Sequence, residues 1–156
     1  MKLKTWFAAA SLAVLAACGT DSPTFSLNIG PPPELPAGTD TVTTSSGLKY
    51  ADIIVGTGAE AHVGDQVQVH YIAWLANGTG FDTSHGGNPY VFTIGAGNTL
   101  EGFDEGVRGM KVGGRRRLII PPSLGYGNVV QTDGSGRVVV PANSTLIFDV
   151  DLVSVQ

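Results

Sequence analysis

The chain has a single cysteine, Cys18, and three histidines, His62, His70 and His85, that fall at no metal-ligand spacing. With the sole thiol near the N-terminus, a zinc site of the usual cysteine and histidine ligands is not expected, and neither is an internal disulfide framework. Charged residues make up only 14% of the 156 residues, and the formal net charge is −4. A mildly acidic chain has no electrostatic case for binding nucleic acid or anionic headgroups. No glycine-rich nucleotide fingerprint is present: Gly95-Ala96-Gly97 lacks the third glycine, and Ser123 in PPSLGYG is not a nucleophile elbow. No internal repeat of 20–50 residues is visible.

What is there begins with an export signal. Lys2 and Lys4 open the chain, and Trp6 to Ala17 is a mostly apolar run too short to span a bilayer. The run ends Leu15-Ala16-Ala17-Cys18, which resembles the bacterial lipoprotein signal. That resemblance implies cleavage after residue 17, acylation of Cys18 and stable anchoring through several acyl chains. Gly19 rather than Asp follows Cys18, so attachment to the outer membrane, facing the periplasm, is expected.

Residues 18–46 are rich in Gly, Pro, Ser, Thr and Asp and show no hydrophobic period. They read as a lipidated cysteine followed by a tether, stiffened at PPPELPAG (31–38) and otherwise loose. About 28 residues at ~3 Å each reach at most on the order of 80–90 Å. A ligand for another module is the alternative reading of the prolines.

From residue 47 to 156, short apolar runs alternate with turn residues. Strands are expected over 48–55, 67–75, 90–94, 117–120 and 145–155, on the period-two pattern of segments such as Val67, Val69, Tyr71, Ala73 and Leu75. Ile72 and Trp74 fall on the opposite face. Leu100, Phe103, Val107 and Met110 follow a helical period, which predicts one short helix near 99–109. The fold class is therefore α+β: a curled antiparallel sheet of five to six strands wrapped around one short helix. The Arg115-Arg116-Arg117 triplet reads as a solvated strand end, and Asp104-Glu105 and Asp149/Asp151 as solvated faces rather than paired acid-base carboxylates.

Four segments carry the functional signal: VHYIAWLANGTGFDTS (69–84), NTLEGFDEGVRGM (98–110), RRRLIIPPSLGYG (115–127) and VPANSTLIFDVDL (140–152). They supply an aromatic cluster, Tyr71, Phe81, Phe103, Tyr126 and Phe148, with the carboxylate Asp82 directly after Phe81. Their order and spacing resemble the FKBP-type peptidyl-prolyl cis-trans isomerases over residues 46–156. The resemblance implies isomerisation of X-Pro bonds in exported or unfolded polypeptides, with a non-catalytic chaperone or interaction module on the same fold as the alternative. It implies no cofactor and no metal. Proline-containing segments are the implied partners and macrolide inhibitors a second ligand class. The chain has no long helical arm of a dimerising member, so a monomer is expected.

Residue by residue, the resemblance makes Phe103 the floor of a proline pocket, where the family often has tryptophan. Tyr71, Phe81, Tyr90, Thr99, Leu100 and Phe148 become its walls. It assigns the Leu100 amide and the Tyr126 hydroxyl as donors to substrate carbonyls, Asp82 as the polar group at the rim, and Val139 and Val140 as flanks of the extended substrate.

Overall fold

The computed structural model describes residues 26–156, so the signal segment and Cys18 lie outside the described residues. Nine strands, one α-helix and one 3-10 turn follow one another: β1 (Val42–Thr43), β2 (Lys49–Ile54), β3 (Gln66–Leu75), β4 (Gly80–Thr83), β5 (Tyr90–Thr93), α1 (Glu101–Val107), β6 (Arg115–Ile120), the 3-10 turn (Pro122–Leu124), β7 (Gln131–Thr132), β8 (Val138–Val140) and β9 (Leu146–Val155). A seven-stranded sheet runs β1-β2-β6-β9-β3-β4, with β5 on the far half of β3, and all the strand pairs given register are antiparallel. The α+β reading holds. The sheet has more strands than expected because β1 and β4 are too short to show a period. The β7–β8 pair forms a separate hairpin between the 3-10 turn and β9.

β9 is the central strand, paired with β3 on one side and β6 on the other, so Phe148 sits beside Ala73 and Leu118. Its alternation puts Leu146, Phe148, Val150 and Leu152 into one core with Val67, Val69, Leu118 and Ile120. Against that face lies α1. Gly102 and Gly106 let it approach: an added Cβ would stand 2.6 Å from Ile120 and 2.5 Å from Leu118. The two glycines lower helix propensity by roughly 1 kcal/mol each relative to alanine, and close packing on β6 offsets that cost.

The other face of the sheet departs from the sequence reading. Residues 27–43 do not run loose but lie across it. Leu27 bridges to Gly80 of β4, Trp74 of β3 donates its indole N–H to the Gly30 carbonyl at 2.6 Å, Arg117 of β6 donates to the Pro33 carbonyl at 2.7 Å, and β1 pairs with β2.

The arginine triplet is corrected with it. Only Arg115 is exposed, forked onto Asp151 at 2.6 and 2.9 Å. Arg117 is buried and pairs with buried Asp149 through two 2.6 Å hydrogen bonds. Arg116, also buried, forks onto Asp52, donates to the carbonyls of Gly106 and Arg108 at 3.0 and 3.1 Å, and stacks over Tyr50. It thereby occupies carbonyls that the end of α1 leaves without helical partners. Asp104 is likewise buried, accepting from the Gly95 amide at 2.7 Å and from Arg108. These carboxylates face basic or amide donors, which burial demands.

Candidate functional site

An open cavity of about 160 Å³ sits between α1 and the concave face of the sheet. Nine side chains line it: Tyr71 from β3, Phe81 and Asp82 from β4, Tyr90 from β5, Thr99 and Leu100 before α1, Phe103 from α1, Tyr126 after the 3-10 turn, and Phe148 from β9. Every wall, floor and rim residue expected from sequence is among them. Val139 and Val140 are not: Val140 is 1% exposed and belongs to the core, and half-buried Val139 packs against it. The β7–β8 pairing turns Val140 inward, which the sequence does not show.

The rings form a continuous edge-to-face assembly. Phe103 lies 5.2 Å from Phe148 and 5.8 Å from Tyr71, at interplanar angles of 71° and 76°, and Phe81 meets Phe148 at 89°. Such geometry places positive ring edges against negative faces and holds each ring in one orientation. Phe92, not singled out from sequence, supports the floor from behind at 5.6 Å from Phe103 and stacks on Tyr90. Its signal was legible: Tyr90 and Phe92 are two apart on a strand and share a face.

Asp82 is exposed, but both of its oxygens are held. Tyr71 donates its hydroxyl to Oδ2 at 2.7 Å, and the Thr83 amide donates to Oδ1 at 2.8 Å. Thr83 in turn donates to the Tyr71 carbonyl at 3.0 Å, and the Tyr71 amide donates to Ser84 Oγ at 2.9 Å. Burial, and then the bond to Asp82, push the Tyr71 phenol well above its ordinary range, so the donor stays protonated. Burial, followed by the nearby Asp82 charge, raises Tyr126 as well.

The Tyr126 hydroxyl donates to none of the described residues, which leaves it available to a ligand in the cavity. Gly127, at φ +59°, turns the chain behind it and accepts from the Asn143 amide at 2.7 Å. Leu100 stands at the N-cap of α1, where amides have no partner inside the helix.

Among the described residues, no histidine or lysine lines the cavity. His70 and His85 stack 5.1 Å apart outside it, with His85 3.6 Å from Asp151. Among the described residues no group of three or more His, Cys, Asp and Glu could hold a metal ion. The arrangement offers an apolar hollow, one fixed carboxylate and the free phenol hydroxyl of Tyr126, and pairs no nucleophile with a base.

A short helix packed in the curl of an antiparallel sheet, with an aromatic hollow between them, defines the class. Family comparison agrees: residues 58–153 match the model of the FKBP-type peptidyl-prolyl cis-trans isomerases. The chain belongs to that family. It is 46% identical over 110 residues to the FK506-binding protein of Neisseria meningitidis serogroup B, covering 70% of this chain and 96% of that one. The crystal structure of AtFKBP13 superposes with a TM-score of 0.68 at 36% identity, covering 74% of this chain and 98% of that chain. FkpA from Escherichia coli gives a TM-score of 0.64 at 37% identity, covering 74% of this chain and 51% of that chain. The chain spans 26% and 52% of the length of two curated relatives it matches, from Candida albicans and Arabidopsis thaliana.

Proposed function

We propose that this protein is a peptidyl-prolyl cis-trans isomerase acting on X-Pro bonds of exported or unfolded polypeptides, anchored in the bacterial envelope through acylated Cys18 and working as a monomer. The observation that carries the activity is the open hollow above Phe103. A cavity of about 150 Å³ with apolar walls accommodates benzene, so 160 Å³ holds a five-membered ring.

Rotation about the imide bond is opposed by resonance, with a barrier of ~18–20 kcal/mol. No covalent bond in the chain is broken, so catalysis needs only to favour the twisted amide over either planar one. Twisting removes resonance and much of the charge separation across C=O and N. Placing a planar amide in an apolar site without new hydrogen bonds costs roughly 2–7 kcal/mol, and less once its dipole has diminished. The aromatic hollow therefore penalises the planar forms more than the twisted one. Each ~1.4 kcal/mol of that difference is a factor of ten in rate.

The residues divide the work by position. Phe103, Tyr71 and Phe148 surround the ring, with Phe81, Tyr90, Thr99 and Leu100 completing the walls. Asp82, fixed by Tyr71 and Thr83, stands at the mouth where the polar part of the substrate emerges. The Leu100 amide and the Tyr126 hydroxyl hold substrate carbonyls. Macrolides that present an apolar ring to the same hollow form a second ligand class.

A protease-coupled assay on a proline peptide, comparing the unmodified protein with Asp82→Ala and Phe103→Ala, tests the activity. Catalysis in the first and a fall in both variants is expected. Background rates in all three would instead mark a binding module on the same fold. The anchor is tested separately, by cell fractionation and mass analysis of the N-terminus.

A further inference from the structure

The N-terminal segment crosses the convex face of the sheet in strand order. Leu27 touches β4, Gly30 touches β3, Pro33 touches β6 and Val42 pairs with β2. Between the first two contacts, Ile29 fills the space over Gly80, where a Cβ would leave no room for it. Beneath the segment lie Trp74, 2% exposed, and the buried Arg117–Asp149 pair.

The chemistry of the two surfaces is complementary. Pro31, Pro32 and Pro33 have carbonyl acceptors but no N–H donors. Both side-chain hydrogen bonds from the sheet to this stretch come from donors, the indole N–H and the guanidinium. Prolines also have little conformational freedom to lose on docking, so their ordering is opposed less than that of a flexible linker.

We propose that residues 27–43 are an orienting clamp rather than a tether, and that the clamp restricts the substrates to polypeptide segments lying close to the surface that holds the N-terminus. This rests on the anchored-isomerase reading above. Docking leaves residues 19–26 as the connection from Cys18, about eight residues that span at most ~26–29 Å instead of the ~80–90 Å of a free 28-residue linker. The connection also leaves the domain at Gly80, one and two residues from Phe81 and Asp82 in the pocket wall. The hollow is thus held within that reach of the attachment point. Chains near that surface experience a high effective concentration of the site, and distant ones are out of reach.

The test uses the full chain with Trp6→Phe, in which Trp74 is the only tryptophan and Cys18 the only thiol. Acrylamide quenching of Trp74 should be weak, and should rise to that of a solvated indole in Leu27→Asp/Ile29→Asp, with hydrogen exchange of β3 and β9 unchanged and the rate on a free Leu-Pro peptide unchanged. Strong quenching before substitution overturns the clamp.

The protein is then coupled through Cys18 to maleimide-bearing phosphatidylcholine vesicles that carry the same Leu-Pro peptide on short or long spacers. The clamped protein should favour the short-spacer peptide by about tenfold, and the double variant should lose that preference. Equal preference in both proteins overturns the restriction. Chemical coupling supplies the anchor whether or not the cell acylates Cys18, and quenching is read whether or not the peptide is turned over. Failure of the clamp is therefore distinguishable from failure of the anchor or of the activity.

Discussion

The two faces of the sheet are built on opposite rules. The concave face collects seven of its nine cavity-lining residues from apolar or aromatic side chains and leaves the space between them open. The convex face carries the Arg115–Asp151 and Arg117–Asp149 pairs and an indole N–H, and the chain lays its own N-terminal segment across it. An apolar hollow can stay open because its one lining carboxylate, Asp82, already has a donor on each oxygen. A face bearing charges in low dielectric cannot, since each uncompensated charge costs several kcal/mol. The face that is finished is structural, and the face left unfinished is where a ligand fits.

The comparison breaks most severely at Arg117. Replacing it by Ala strands the Asp149 carboxylate beneath residues 27–43, and unfolding by urea should show a loss of roughly 3–5 kcal/mol. Restoring most of that loss with Arg117→Met/Asp149→Leu would locate the effect in the orphaned charge. No recovery would mean that the contact to Pro33 dominates.

Between the faces, Gly106→Ala should cost about 1–3 kcal/mol by forcing α1 off Leu118. It should also reduce the isomerase rate, because Phe103 rides on the same helix. A rate unchanged alongside a lowered melting temperature would show that the floor tolerates helix displacement.

On the concave face, Tyr71→Phe keeps the wall and deletes the bond to Asp82. The expected stability change is only about 0.5–1.5 kcal/mol, with a rate loss of several fold as the carboxylate is released from one of its two donors. Thermal melts and the coupled assay read the two effects separately.

The smallest effect is that of pH. With Tyr71 and Tyr126 both raised above the ordinary phenol value of ~10, neither loses its proton near neutrality, and the rate should stay nearly flat from about pH 6 to 9. A raised folded pKa means the native state holds its proton more tightly than the unfolded chain. That contribution to stability is complete below the unfolded phenol value of ~10 and disappears as pH rises above it. Stability should therefore decline on the alkaline side, by urea titration across that range. A bell-shaped rate profile centred near neutrality would contradict a mechanism without acid-base transfer.

Legibility in the sequence follows the same divide. Period-two alternation located the long strands to within a few residues, and the helical period at Leu100, Phe103 and Val107 located α1, because one buried face writes its pattern into adjacent residues. The cavity residues came from four motifs whose spacing the family resemblance supplied. The clamp did not come through, since a proline-rich run has the same composition whether it is solvated or docked on matching donors. Burial of Arg116 and Arg117 depends on partners 64 and 32 residues away, which no local pattern encodes. Val140 depends likewise on the short β7–β8 pairing. Asp104 faces Gly95 through a loop contact that no local period encodes.

The segment that begins at Leu27 also meets both flanks of the main sheet: Leu27 hydrogen-bonds to Gly80 on β4, and Val42–Thr43 pair with β2 at the other end. Exposed strand flanks are templates for cross-strand pairing with other chains. One short stretch of polypeptide therefore blunts two such templates at once, and shedding it would open both together.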